Sequence, residues 1–305
     1  MIIRDLDADL DALAAARVLA AAHPFLVQNA AALAFQVRHA PAAQRYRVFV
    51  AEVDGEVVGL ARCGLDWETS VAGQGFANVS VDPARRGRGA GTALLTAGEE
   101  YLRGLSVRTA RAWGSDDAAS ERFAAAHGYR RTRPAAYQRR DLTAPLPPVP
   151  EVPAGVVVRR WAEFDDPRPL WEADADASRD EPADTPPDAI PYEGWLDSTW
   201  RRPDLDRSLS VAAVVDGVVA AFSMVQADRP RYWSGMTGTR RDWRGRGLAG
   251  LVKATSLEAA VRAGYAEAFT GNDEENAPML AINRRLGYLP FARQWRCVKD
   301  LSTVE

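Results

Sequence analysis

Lysine is nearly absent from this chain. Of its 38 basic residues only Lys253 and Lys299 are lysines and the rest are arginines, a bias that fits a GC-rich genome and by itself assigns no chemistry. Histidine and cysteine are scarce as well. His23, His39 and His127 form no HExxH or other ligand spacing, and Cys63 and Cys297 sit in opposite halves without a CxxC partner. Neither a metal site nor a disulfide framework is expected, and both thiols read as buried and free. No stretch approaches eighteen uninterrupted apolar residues, and the start, MIIRDLDADLDAL, places acids where a leader needs a positive and then an apolar region. A soluble, cytoplasmic protein without membrane association is expected. A formal net charge of −3 over 305 residues supplies no general field for polyanions, which argues against nucleic acid as a partner. Any anion site must be local.

What is present points to two domains. Apolar residues make up 47% and charged residues 26% of a chain long enough for two cores. Leu142 to Gly155, LTAPLPPVPEVPAG, carries five prolines that deny it helix and central strand. The expected division is therefore 1–144, a linker at 145–154, and 155–305. The same punctuation recurs on either side: RRGRGAG at Arg85 to Gly91 answers WRGRGLAG at Trp243 to Gly250, and AAHGY at Ala125 to Tyr129 answers RRLGY at Arg284 to Tyr288. Gly89 and Gly247 lie 158 residues apart, Gly128 and Gly287 159, and the Asp54-Gly55 and Asp216-Gly217 pairs 162. A divergent internal duplication accounts for this agreement.

Each Asp-Gly pair, flanked by β-rich runs, predicts a hairpin. A third strand follows (Gly75 to Val81; Met236 to Thr239), then the glycine-rich turn, then a helix, the second stopped at Gly264. A fourth strand, a second helix and a closing pair of strands complete each half, and Ala14 to Gln36 and Trp161 to Trp200 read as mostly helical. The implied fold class is α/β (α+β), each half a mixed, largely antiparallel twisted sheet flanked by helices.

A glycine turn at a helix start exposes backbone N–H groups at the positive end of the helix, and arginines add charge suited to a diphosphate. The Walker pattern fails because neither turn has Lys followed by Ser or Thr, which leaves triphosphate hydrolysis little support. Gly245, Gly247 and Gly250 satisfy GxGxxG literally, which leaves a NAD(P)-dependent oxidoreductase as an alternative. Its copy, Gly87, Gly89 and Gly91, breaks the pattern, and the motif falls late in its domain. A tight turn that binds nothing is the plainest reading, and two arginine-studded copies at matched places weigh against it.

The segments SVDPARRGRGAGTALL and TGTRRDWRGRGLAGLVK resemble the acyl-CoA-binding signature of the GCN5-related N-acetyltransferase (GNAT) superfamily, and the likeness spans nearly the whole chain as a tandem pair. Arg86, Gly89 and Gly91 fill the pattern in one half; Arg244, Gly247 and Ala249 fill it in the other. The resemblance implies acetyl-CoA as donor and a V-shaped gap between the strand before the turn and the next strand, with the thioester polarised by a backbone N–H near Val81 or Thr239. A small-molecule primary amine would then attack directly. The implied acetyl-CoA contacts are Val81, Arg86, Gly87, Arg88, Gly89, Ala90, Gly91 and Thr92 in the first half. In the second they are Thr239, Arg244, Gly245, Arg246, Gly247, Leu248, Ala249, Gly250 and Asn276.

The departures from the family pattern matter too. Counting back from Gly287, the places of the family's Asn and its presumed acid Tyr hold Asn276 and Asn283; from Gly128 they hold Asp117 and Ala124. The Glu frequent on the strand before the turn is missing, with Asn78 and Met236 nearest. The second half is the expected catalytic one, with Thr239, Asn276 and Asn283 as candidate catalytic residues and the first half an auxiliary or degenerate copy. The missing acid and base keep open a noncatalytic acyl-CoA sensor or scaffold. Asn272 or Asp273 as a helix cap, with Met279 and Leu286 as core, is the plainer account of that region. The acidic run Glu172 to Asp188 reads as a solvated loop or as a lure for a cationic amine. The seven tryptophans of the second half read mostly as core.

Overall fold

The computed structural model describes residues 1–185, 187–188 and 190–302. The chain forms two compact units, one of residues 1–135 with 293–305 and the other of residues 136–292. The proline segment 142–155, free of helix and strand, belongs wholly to the second unit, so the units do not part at the prolines. Leu142, Leu146 and Val149 dock that segment onto the core of the second unit, which is why it stays with that unit.

In chain order the elements are β1 (Ile2–Asp5), α1 (Ala12–Ala22), α2 (Ala30–His39), β2 (Arg47–Val53), β3 (Glu56–Leu65), β4 (Gln74–Val81), α3 (Ala90–Gly104), β5 (Thr109–Ser115), α4 (Ala118–Ala126) and β6 (Arg130–Asp141). The second half continues with β7 (Val156–Arg160), α5 (Arg168–Ser178), α6 (Tyr192–Trp195), β8 (Val211–Val215), β9 (Val218–Asp228), β10 (Arg231–Thr239), α7 (Leu248–Arg262), β11 (Glu267–Asp273), α8 (Ala277–Arg285) and β12 (Leu289–Asp300). Both hairpins form as expected: Asp54 and Gly55 take φ 53° and 79°, Asp216 and Gly217 φ 49° and 80°, the left-handed pair that matches strand twist. The closing pair of strands does not form in either half. RRTRPAAYQRRD and LPFARQWRCVKD lack a turn residue at which to fold back, so each runs as one 12-residue strand. Each of these strands is divided between the units. Residues 294–300 of β12 pair antiparallel with β5 in the first unit, whereas residues 136–141 of β6 lie beside β11 in the second.

In the first unit β1, β2, β3 and β4 are antiparallel neighbours, and β4 runs parallel to β5 for three residue pairs only, ending at Phe76 opposite Arg111. In the second, β7, β8, β9 and β10 are antiparallel, and β10 runs parallel to β11 for four pairs, ending at Ser234 opposite Thr270. Helices cover both faces. Leu94 and Leu102 of α3 are fully buried on one face of the first sheet, and Leu19 and Leu33 pack beneath the other; a buried leucine of this kind contributes about 1.5–3 kcal/mol. In the second unit Leu251 and Val252 of α7 lie on one face, and Trp161, Trp195 and Phe222 on the other. Cys63 and Cys297 are buried and free.

Candidate functional site

Both glycine turns take up the same conformation. A short 3₁₀ turn (Pro83–Arg85; Arg241–Trp243) ends in an extended arginine, Arg86 or Arg244, and two left-handed glycines follow: Gly87 and Gly89 at φ 78° and 85°, Gly245 and Gly247 at φ 75° and 76°. Alternating left-handed residues turn successive N–H groups toward one side. The second glycine is the N-cap of a 15-residue helix, α3 or α7, that no side chain caps, so the first-turn amides remain available to an anion. The arginines repeat as well. Arg86 Nε donates to the Val81 carbonyl at 3.3 Å and Arg244 Nε to the Thr239 carbonyl at 3.1 Å, which folds each guanidinium back to the end of the preceding strand.

The gap beside each turn follows from the sheet. Arg240 N–H donates to the Ala220 carbonyl, so by antiparallel alternation the backbone groups of Thr239 and Thr237 turn away from β9, to the side where β10 and β11 have parted. The pairing of Asp82 N–H with the Val58 carbonyl turns Val81 and Val79 in the same way. The two strands differ in one respect: β10 carries a one-residue bulge between Ser234 and Thr237, whereas β4 pairs with β3 without interruption. A bulge re-aims the residues after it. In β4 Asn78 instead accepts the Trp113 N–H across the opening.

A cavity of about 1230 Å³ in the second unit is lined by Thr239, Arg244, Gly245, Gly247, Leu248, Ala249, Gly250 and Asn276. Arg246 and Asn283 do not line it. Asn276, and not Asn272 or Asp273, is the N-cap of α8, its Oδ1 accepting the Met279 N–H at 3.3 Å, so the cap itself stands in the cavity wall and Nδ2 is the donor it has left to offer. Asn283 is fully buried, and its Nδ2 donates to Gln138 Oε1 and Asn272 Oδ1, both at 2.8 Å. In the first unit a cavity of about 380 Å³ takes in Val81, Arg86, Gly87, Gly89, Ala90, Gly91 and Thr92, but not Arg88.

The model of the Acetyltransferase (GNAT) family matches residues 17–129. A mycothiol acetyltransferase of Thermomonospora curvata is 31% identical over 82% of this chain and 81% of its own. The chain belongs to the GNAT family. A mycothiol acetyltransferase of Nocardia farcinica shares 38% identity over a shorter stretch, 40% of this chain and 38% of that one. A tandem GNAT protein from the clavulanic acid biosynthesis pathway, 24% identical, has the same fold over all of this chain and 99% of its own, with a TM-score of 0.74. The protein is a tandem GNAT acetyltransferase that moves an acetyl group from acetyl-CoA to an amine. The sensor and oxidoreductase readings are not favoured. The third glycine of a dinucleotide turn serves close packing, yet a Cβ at Gly250 would meet nothing within 4 Å.

Among the described residues no group of acids, histidines and cysteines could hold a metal ion, and no helix is long and apolar enough to cross a membrane. Several features of the GNAT site escaped the sequence reading. Pro147, Pro148 and Pro150 line the larger cavity, although the prolines read only as a connector. Gly235 and Met236 make the bulge, for which an isolated strand glycine was the available signal. His23 enters the smaller cavity, its Nε2 2.9 Å from Ser80 Oγ, and burial, then the charges of Arg62 and Arg86, push its pKa down to about 4. The acidic run is neither plain loop nor free lure. Asp174 accepts from Trp195 Nε1 inside the core and is pushed up to about 6 by burial, and Asp180 pairs with Arg241 and Arg244.

Proposed function

We propose that acetyl transfer takes place in the second unit and that the acceptor is a small molecule bearing a primary amine. The observation that carries this reading is the coincidence, around one cavity, of an uncapped helix start, an arginine folded beside it, a strand that parts from its neighbour, and a bulge at the point of parting. Acetyl-CoA supplies the acetyl group as a thioester. The amides of Gly245 to Gly250 and the Arg244 guanidinium hold the diphosphate, and Asn276 Nδ2 meets the pantetheine arm. The amides of Thr237 and Thr239 face the gap, and Thr237, nearer the bulge, donates to the thioester oxygen as charge builds on it. With no covalent intermediate, rate comes from orientation and this donor. The first unit has an equivalent turn but no bulge in β4, and serves as an auxiliary site. Because the donor is acetyl-CoA, we infer a cytoplasmic protein.

The curated relatives make the amine acetylated by mycothiol acetyltransferases the first acceptor to assay, with polyamines beside it. Release of CoA should be lost in Gly247→Val and kept in Gly89→Val. The reverse result would move catalysis to the first unit, and turnover untouched by either substitution would remove both turns from the reaction.

A further inference from the structure

Lys253 is fully buried on α7 and lines the same cavity as Arg244 and Asn276. Its Nζ donates to Thr270 Oγ1 at 3.3 Å, and Thr270 in turn spends its own proton on the Ser234 carbonyl at 3.1 Å. Ser234 and Thr270 are the last parallel pair before β10 and β11 separate, so the ammonium sits at the apex of the gap. One neutral hydroxyl is thin provision for a group with three donors. The nearest aromatic face, that of Tyr288, is 5.3 Å away, and its buried hydroxyl has no partner. Among the described residues Lys253 makes no ion pair, and burial alone lowers its pKa, to about 7. The place that holds an acid in the family pattern is filled by Asn283, which Gln138 and Asn272 occupy. A buried charge this poorly matched within the protein fits an anion that arrives in the cavity.

We propose that Lys253 is the catalytic acid of the second unit, receiving the CoA thiolate as the thioester breaks. This rests on acetyl transfer in the second unit. The amine nitrogen forms its bond to the acetyl carbon, the carbon–sulfur bond breaks with its electron pair passing to sulfur, and the Lys253 ammonium gives sulfur a proton. The nitrogen loses one proton to water, and neutral Lys253 takes one back, so amine and acetyl-CoA become amide and CoA with nothing left over. A thiol of pKa about 8.5 needs modest help, so the loss on removing Lys253 should be about tenfold to a hundredfold in kcat, at the low end of acid catalysis or below it.

The deciding experiment needs no acceptor. CoA bound to the intact protein is titrated by the ultraviolet absorbance of its thiolate, with wild type compared with Lys253→Met and Lys253→Gln and calorimetry confirming that each binds CoA. An ammonium within about 4–6 Å should lower the bound thiol midpoint by about 1–2 pH units, which brings it level with Lys253 so that one proton is shared between nitrogen and sulfur, and both variants should lose that shift. Thr270→Val, which removes the hydroxyl that favours the charged amine, should move the alkaline fall of kcat to lower pH. Equal thiol midpoints in wild type and in a variant that still binds CoA would overturn the role of Lys253. Failure of wild type to bind CoA at a site sensitive to Gly247→Val would overturn the assignment of the site itself. If Met at 253 unfolds the protein, the Gln variant and Thr270→Val decide the question, and an unmoved limb in Thr270→Val counts against the proposal.

Discussion

Asp180 Oδ2 lies 2.8 Å from Arg244 Nη1, so an acid from the segment after α5 occupies the arginine assigned to the diphosphate. The same carboxylate receives Arg241 Nε at 2.7 Å, and Arg241 first, then Arg244, hold it well below the usual carboxylate range. A diphosphate must compete with it. Asp180→Ala should lower the KM for acetyl-CoA, and since exposed pairs are weak the gain should be about two- to fivefold. The gain should shrink at high salt, where the pair is screened. A weaker affinity in the variant, measured by calorimetry, would show instead that Asp180 positions Arg244 for the ligand.

The glycines of the second turn should separate by conformation, not by space. A Cβ would meet nothing within 4 Å at Gly245, Gly247 or Gly250, but Gly245 and Gly247 lie at positive φ and Gly250 is helical. Gly247→Val forces a branched side chain into the left-handed region and should abolish acetyl-CoA binding to the second unit. Gly250→Ala should keep binding and raise the melting temperature, since alanine in a helix gains about 0.5–1 kcal/mol over glycine. Loss of binding in Gly250→Ala would mean that the ligand itself needs the space.

Asn283 should matter to stability more than to rate. Replacement by Ala leaves buried Gln138 Oε1 and half-buried Asn272 Oδ1 without the donor they share, at a cost of about 1–3 kcal/mol. Denaturant midpoints should fall while kcat at 25 °C stays within about twofold, because the residue does not line the cavity. A large fall in kcat with an unchanged midpoint would return Asn283 to the chemistry.

Local rules made half of this legible in advance. Asp-Gly pairs, the glycine turns and the stop at Gly264, at φ 79°, are set by residues adjacent in sequence, and each formed where it was read. The bulge at Gly235 and Met236 was missed because it is defined by β9 across the ladder. Lys253 drew notice only for its rarity, because burial beneath β11 is a property of the folded sheet. The exchange of residues 136–141 and 293–300 between units was hidden for the same reason. A strand's pattern states that it pairs and leaves open with which sheet.

Acidification should act on the two units with opposite sign. His23 in the first unit has its pKa lowered from 6.5 to about 4. Between those values the unfolded chain binds the proton and the folded unit does not, so stability falls as pH drops from about 6.5 to 4, by up to about 3 kcal/mol. Asp174 in the second unit is raised from 3.8 to about 6. There the folded unit binds the proton first, and stability rises as pH drops from about 6 to 4 by a similar amount. Lys253, lowered from 10.5 to about 7, changes its contribution only above this window. Asp174→Asn keeps an acceptor for Trp195 Nε1 and mimics the neutral acid, so it should stabilise the protein at pH 7 and leave it unchanged at pH 4. His23→Gln should do the reverse, with its gain confined to acid. Denaturant unfolding of both variants at pH 7, 5.5 and 4.5 checks the pair, and parallel pH profiles for the two would remove one or both groups from the account.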